Sequence, residues 1–492
     1  MAPLCAYPSG NPMHAIPTSP ARGGQDLWLG LGALAYFAVN ALSQCLVSPT
    51  AELDQAQQLV LSQDLSWGYG PQPPLYSWLV NLLFALTGPS LAVLYAVKVA
   101  LLGLLVAGML QAAREIGLDA RARLLAVAGL ALIPQFVWES QRDLTHSVLA
   151  TVCAVWTLWA LFRLYRAPSL ANHVLLGVLV GLGVLSKYNF GFFVLALIGA
   201  ALLTPAYRRR LLTPRLLLAV AVALLVLAPH LAWFAGHAGA ATASSAKFKM
   251  AGGFAPAGAV SVLYAVLAFL GPLILAYALS WRRAGGRPAA LDGAHTGLLV
   301  RLALVMLGLL MAFVLVTGAT HVKDRWMQPL FFFVPLLAAM TVAHARVFLG
   351  LAGAIALAVA VLLPGQALWA SLHDKASRRN LPYAELAAAL RAEAGRPDVI
   401  LASNELLAGN MRLAFPDSRV GVVWSPDGLR AALAEYRGRT VWFLADNGGH
   451  DRGDRAWTEY AVAFPGRQPQ VVERPLLHMA TAGHRIYWLA LP

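Results

Sequence analysis

The residues of this chain that could do chemistry are few, and they stand in short polar stretches between long apolar ones. Glu52 and Asp54 follow the first apolar run, Asp64 opens the stretch "DLSWGYGPQPPLYSW", Arg142-Asp143 precedes a later run and Lys187 interrupts another. His321, Lys323, Asp324 and Arg325 gather just ahead of one more. Carboxylates so placed can accept a proton or hold a metal, and the basic groups can bind a phosphate. A charge at membrane depth costs about 2.5–3.5 kcal/mol on insertion scales, so such groups tend to be paired or functional. Plainer roles stay open. Glu52 and Asp54 suit the first turn of a helix, where an acidic group meets the dipole. Asp143 can pair with Arg142, Lys323 and Arg325 can snorkel to the interface, and His321 reads first as a polar loop residue.

The elements that must hold these groups are membrane-spanning. The chain has 492 residues, of which 59% are hydrophobic and only 12% charged, against about 25% charged in a soluble chain. Apolar runs long enough to cross a bilayer fall at 27–47, 90–112, 124–138, 144–162, 174–186, 189–204, 216–235, 257–280, 301–318, 326–343 and 347–370. These predict an α-helical polytopic membrane protein with about eleven spans. The two runs flanking Ser186-Lys187-Tyr188-Asn189 read either as one long span or as a hairpin. The net charge of +14 is no nucleic-acid signal, because the basic residues cluster between spans, where orientation signals belong. Counting the Lys187 hairpin as two crossings puts the arginine clusters at 114–123, 163–166, 208–215, 282–287 and 346 on one side, which is then cytoplasmic. The acidic loops, and with them the loop 48–89, face the periplasm.

Residues 1–25 lack the basic start and apolar core of a secretory signal and read as a disordered cytoplasmic tail. Cys5, Cys45 and Cys153 form no disulfide framework or metal-ligand spacing. The core region is then 26–370. The remaining segment, 371–492, alternates helix-like stretches (Tyr383–Ala394, Gly428–Tyr436) with strand-like runs (398–402, 419–424, 440–445, 485–491), which predicts a small periplasmic α/β domain. About 120 residues suffice for an independent core.

In the first loop, Leu53, Ala56 and Val60 recur at helical spacing, so 51–63 reads as an amphipathic helix lying at the interface. The stretch after it holds Pro71, Pro73 and Pro74 and cannot be a span. It reads as the rigid wall of a cavity, with little entropy lost in placing it. Trp67, Tyr69 and Tyr76 could stack on sugar faces there, although Trp67 and Trp78 also suit an ordinary aromatic belt.

Four motifs carry a resemblance over about 300 residues. They are "LDQAQQLVLSQDLSWGYGPQPPLYSWL" from Leu53, Gln141-Arg142-Asp143-Leu144, "GLGVLSKYN" at 181–189 and "HVKDRWMQP" at 321–329. In order and spacing the chain resembles GT-C glycosyltransferases that take a sugar from a polyprenyl phosphate. It is most similar to the bacterial branch with the lipid A aminoarabinose transferase and the rhizobial lipopolysaccharide galacturonosyl transferases. It departs from them at Gln55, where the branch has Glu, and at Pro71-Gln72, where it has Asp-His. A changed donor sugar or acceptor would account for both departures.

The resemblance implies a GT-C fold and an inverting transfer from a lipid-phosphate sugar to a periplasmic glycan or glycolipid, in the bacterial inner membrane. It points to Asp54 as general base with Asp143 beside it, and to Lys323, Arg325 and Lys187 on the donor phosphate. The expected cavity also takes in Glu52, Gln55, Trp67, Tyr69, Gln72, Tyr76, Tyr188 and His321. The partners implied are the lipid donor, the acceptor and membrane lipids, with no nucleic acid. No cofactor is firmly implied, and a divalent cation is left open. No glycine loop for a nucleotide sugar is evident. The rivals are a transporter of lipid-linked sugars, against which stands the absence of an internal repeat, and a non-enzymatic assembly partner acting through 371–492.

Overall fold

The computed structural model describes residues 21–251, 256–281, 293–342, 344–373, 375–447, 455–479 and 482–491. Helix Ala21–Val47 takes in the end of the expected tail. The rest of that tail, and the Arg282, Arg283 and Arg287 cluster, lie outside the described residues.

Among the described residues, seven helices are long and apolar enough to cross a membrane, and nine if each of two bent helix pairs counts as one span. The bends fall at prolines. Ala120–Leu130 meets Gln135–Arg142 at 72° across Pro134, and Phe190–Leu203 meets Pro205–Leu211 at 111°. Proline cannot donate to the helical ladder and forces such breaks. The difference from eleven lies in the short runs. Helix Leu170–Ser186 has 17 residues, and the run 326–343 is cut into the short helices Gln328–Phe331 and Val334–Ala339. The apolar stretch around Lys187 is two helices, Leu170–Ser186 and Phe190–Leu203, broken at Lys187-Tyr188-Asn189.

Helix Thr145–Arg166 is the hub, with 83% of its apolar window buried inside the protein. The close pair Leu170–Ser186 and Arg215–Gly236 depends on glycine. A Cβ at Gly177 or Gly181 would run into the facing helix at Ala219 or Val226, the small-xxx-small arrangement that lets backbones approach in a bilayer.

Residues 48–74 form a folded plug. Helix Leu53–Leu61 carries a capping box, with the Glu52 side chain on the backbone N–H of Gln55 and the Gln55 side chain on that of Glu52. Downstream, Tyr69 and Gln72 close a tight turn through paired backbone bonds of 3.1 and 3.2 Å, with Gly70 at φ +57°, where a Cβ is disfavoured. Gly68 lies flat on the Trp233 ring, leaving no room for a Cβ. Pro74 stands at the N-terminus of helix Leu75–Thr87, which the sequence reading did not mark.

The C-terminal segment folds around five strands: β1 (Val399–Ala402), β2 (Arg419–Val422), β3 (Val441–Ala445), β4 (Gln470–Pro475) and β5 (Gly483–Leu491). Their order is β2-β1-β3-β5-β4. β1 pairs in parallel with β2 and β3, and β5 is antiparallel to both β3 and β4. Asp446, just after β3, is buried and accepts from the hydroxyl of Tyr383 at 2.6 Å and the amide of Asn404 at 2.7 Å, with His484 at 2.8 Å. Burial alone would raise its carboxyl, but these partners outweigh burial and hold it below the usual range.

This domain has a core of its own, with Val399, Leu429, Phe443 and Leu489 in it, and it shares a second one with the rest of the protein. Leu386, Leu406, Leu407 and Met411 belong to the same apolar cluster as Ala56, Leu59 and the membrane helices. Helix Glu405–Ala414 lies so close on helix Leu53–Leu61 that a Cβ at Gly409 would meet the backbone of Ala56. The helix at 53–61 is therefore no interfacial surface helix. Ala51, Gln55, Ala56, Gln58 and Leu59 are buried, since the domain covers the face expected to meet lipid headgroups.

Candidate active site

A cavity of about 520 Å3 opens where the first loop, the start of the hub helix, the Lys187 turn and the segment 321–327 meet. Asp54, Gln72, His146, Lys187, Tyr188, Lys247 and Arg325 line it, with Phe192, Phe234, Phe313 and Trp326 supplying apolar wall. A larger groove of about 1100 Å3 lies between helices Ala21–Val47 and Leu91–Glu115, but its wall is almost wholly apolar, so the chemistry belongs to the smaller cavity.

Asp54 is placed by an exchange between two loops. Its backbone N–H donates to Asp143 Oδ1 at 3.0 Å, and its Oδ2 accepts from the backbone N–H of Leu144 at 3.1 Å. Leu144 takes a left-handed conformation at φ +64°, which costs a side-chain-bearing residue roughly 1–2 kcal/mol and turns that N–H toward the first loop. Lys98 Nζ donates to the backbone carbonyl of Asp143 at 2.8 Å and holds the same corner from behind. Gln57 Nε2 donates to Glu405 at 2.7 Å. Burial pushes the Glu405 carboxyl up, and this bond partly offsets it.

The cations come from three places in the chain. Lys187 Nζ donates to Ser147 Oγ at 2.5 Å. Its charge interacts with Asp54 first, then with Arg325 and Lys247. Arg325 lies on the 3-10 turn Asp324–Met327. That turn is tied to the Lys187 turn by Asn189 Nδ2 donating to the Trp326 carbonyl at 3.0 Å, and to the helix break by Gln135 donating to Asp324 at 2.6 Å. Lys247 rides on the 3-10 segment Ala243–Phe248. Phe248 anchors that segment: its ring meets Phe313 and Trp326, and its carbonyl accepts the N–H groups of Thr320 and His321, each at 3.0 Å.

Of the expected site residues, the fold brings Asp54, Lys187, Arg325, Gln72 and Tyr188 onto one wall. The others lie off it. Asp143 backs Asp54. Glu52 and Gln55 are spent on the capping box, and Glu52 also faces Arg378 at 3.8 Å. Gln55 thus fills the capping position as well as a glutamate would, which accounts for that departure without reference to substrate. Tyr69 bonds within its own loop, its hydroxyl donating to the Asp64 carbonyl at 2.7 Å. Tyr76 is buried against His146, and Trp67, 54% exposed, packs edge-on to Trp78. His321 bonds to Phe248 through its backbone. Lys323 does not line the cavity, and partial burial, then Arg325, Lys247 and Lys249, push its ammonium down. His146, Ser147 and Lys247 are among the wall residues that sequence reasoning missed. Lys247 and Lys249 stand in a polar connection between spans, the same signal used for the other charges.

Among the described residues no three His, Cys, Asp or Glu side chains gather as metal ligands. Asp54 is the one carboxylate on the wall, so the donor set does not fit a divalent cation.

Residues 71–233 match the family described as dolichyl-phosphate-mannose-protein mannosyltransferase. The chain is 33% identical over 455 residues to the lipopolysaccharide core galacturonosyltransferase RgtA of Rhizobium johnstonii, covering 89% of each. It is 34% identical over 471 residues to RgtB of the same organism, covering 92% of this chain and 94% of the relative. Among solved structures, ArnT from Cupriavidus metallidurans bound to undecaprenyl phosphate matches in fold, with a TM-score of 0.62 over 94% of this chain and 98% of ArnT at 13% identity. These likenesses lend nothing to the transporter alternative.

Proposed function

Since the chain belongs to the family of the lipopolysaccharide core galacturonosyltransferases and is a membrane glycosyltransferase, we propose that it transfers a galacturonosyl group from a polyprenyl phosphate to a lipopolysaccharide-type glycolipid, with inversion. The observation that carries this reading is the single cavity in which Asp54 shares a wall with Lys187 and Arg325.

The acceptor hydroxyl attacks the anomeric carbon, and the bond from that carbon to the phosphate oxygen breaks. The hydroxyl proton passes to Asp54, and the electron pair leaves with the lipid phosphate, whose charge rises from one toward two. A positioned base of this kind contributes about 10²–10⁴ in rate. The growing phosphate charge is met by Lys187 and Arg325, fixed in advance by Ser147 and by the Asn189 tie. Cations preorganised where charge develops favour the transition state over the bound donor. Asp143 acts as a positioning residue through the N–H of Asp54. Pro71 and Gln72 line the cavity, which supports reading the loop as its wall.

In the proposed orientation the first loop and the domain from 371 face the periplasm, where the acceptor lies, and the lipid tail enters from the bilayer. The domain holds helix Leu53–Leu61 in place and so sets the position of Asp54. Mass spectrometry of surface glycolipids from cells with and without the gene tests the function, together with transfer by purified protein in detergent. A missing hexuronic-acid mass and transfer from galacturonosyl polyprenyl phosphate are expected. Unchanged glycolipids and no transfer would overturn the reading. Activity in detergent, with no second compartment, also separates an enzyme from a transporter.

A further inference from the structure

We propose that Lys247 is the specificity-determining cation of this cavity and reads the carboxylate of the transferred uronosyl group; the proposal rests on the galacturonosyl reading above. Three cations, Lys187, Lys247 and Arg325, line the cavity against one carboxylate, Asp54. The nearby acids off the wall are engaged elsewhere: Asp143 with the Asp54 N–H, Glu52 with its capping box and Arg378, Asp324 with Gln135, and Glu405 with Gln57. The wall itself therefore holds two more cations than carboxylates. A polyprenyl phosphodiester brings one negative charge, and a neutral sugar adds none. A uronosyl group adds the second and balances the wall.

The placement of the three cations assigns the second charge. Lys187 and Arg325 share one frame through the Asn189–Trp326 bond, and Asp54 is the charge that acts most strongly on Lys187. A phosphate leaving the carbon attacked beside Asp54 belongs with that pair. Lys247 sits on a separate segment at the exposed rim, within electrostatic reach of Glu405 in the C-terminal domain as well as of Lys187. Among the described residues its ammonium has no hydrogen bond or ion pair. Its segment is nevertheless not free to drift, because Phe248, the next residue, is packed and bonded on both sides. The result is an unpaired ammonium on a fixed perch on the cavity wall, carried by a different segment from either member of the phosphate pair, where a carboxylate on the sugar can reach it.

The test compares wild type, Lys247→Gln and Lys247→Arg on two donors, galacturonosyl and galactosyl polyprenyl phosphate. kcat/KM is measured for each donor, and Kd for bare polyprenyl phosphate. Lys247→Gln is expected to lower kcat/KM for the galacturonosyl donor about ten- to hundredfold, as for loss of one charge-assisted hydrogen bond. It should leave the galactosyl donor and the bare lipid phosphate unchanged, and Lys247→Arg should restore most of the loss. Equal loss on both donors, or weaker binding of the bare lipid phosphate, would overturn the proposal by making Lys247 a phosphate contact. A loss that disappears when acceptor phosphates are removed would overturn it by making Lys247 an acceptor contact. In each of those cases wild-type galacturonosyl transfer still stands. Absence of that transfer in the wild type would instead overturn the galacturonosyl reading, and Lys247's role with it.

Discussion

Asp54 and Asp143 each accept an N–H from the other's loop, so the position of the proposed base is written into two backbones at once. Asp54→Asn keeps an oxygen for the Leu144 N–H but cannot take a proton. The protein is expected to fold and bind donor, with kcat lower by about 10²–10⁴, measured with purified lipid donor; wild-type turnover would remove Asp54 from the base role. At this scale the sequence was legible where a charge interrupts apolar runs, as at Asp54, Lys187 and Arg325. It was not legible between close neighbours. Lys323 is the extended residue before the 3-10 turn and Arg325 lies on that turn, so closeness along the chain does not say which of them reaches the cavity. Only the turn's anchoring to Gln135 and Asn189 decides that Arg325 faces the cavity.

The decisive contact between elements is that of helix Glu405–Ala414 with helix Leu53–Leu61 at Gly409 and Ala56. Asn410 Oδ1 accepts the Ala51 N–H at 2.8 Å, and Arg419 grips the Asp64 carboxylate beside it. Gly409→Val must push helix 53–61 away from the domain, and with it Asp54. A displacement of about 1 Å in such a group can cost about a hundredfold. The variant is therefore expected to lose kcat while its Kd for bare polyprenyl phosphate stays as in wild type, because Lys187 and Arg325 are carried on other elements. Loss of lipid binding together with kcat would mean that the domain supports the whole cavity. Period-2 and period-3.6 patterns located β1, β2, β3 and β5 and the helices at 383–394 and 426–435 well. β4, with only Val472 buried, shows little alternation to read. The interfacial placing of helix 53–61 failed because an apolar stripe does not say whether lipid or protein will cover it.

Across the whole molecule, one apolar cluster joins spans, first loop and one side of the C-terminal domain, while a second cluster belongs to that domain alone. The proposed orientation puts Glu435 outside and Arg209 inside. Single cysteines at these exposed positions, introduced after Cys5, Cys45 and Cys153 are replaced, are expected to differ. Glu435→Cys should react with a membrane-impermeant maleimide on intact spheroplasts, and Arg209→Cys only after lysis. The reverse result would invert the topology and place the cavity on the cytoplasmic side.

What the sequence determined by itself was the membrane class, the α/β character of the last segment and the charges too costly to leave unpaired in an apolar setting, because length, period and composition are local properties of the chain. Tertiary structure alone decided which of those charges meet. The cavity wall draws on residues 54, 72, 187, 247 and 325, and what brings such distant positions together is close packing at glycines, proline bends and cross-loop backbone bonds, none of which any one segment encodes.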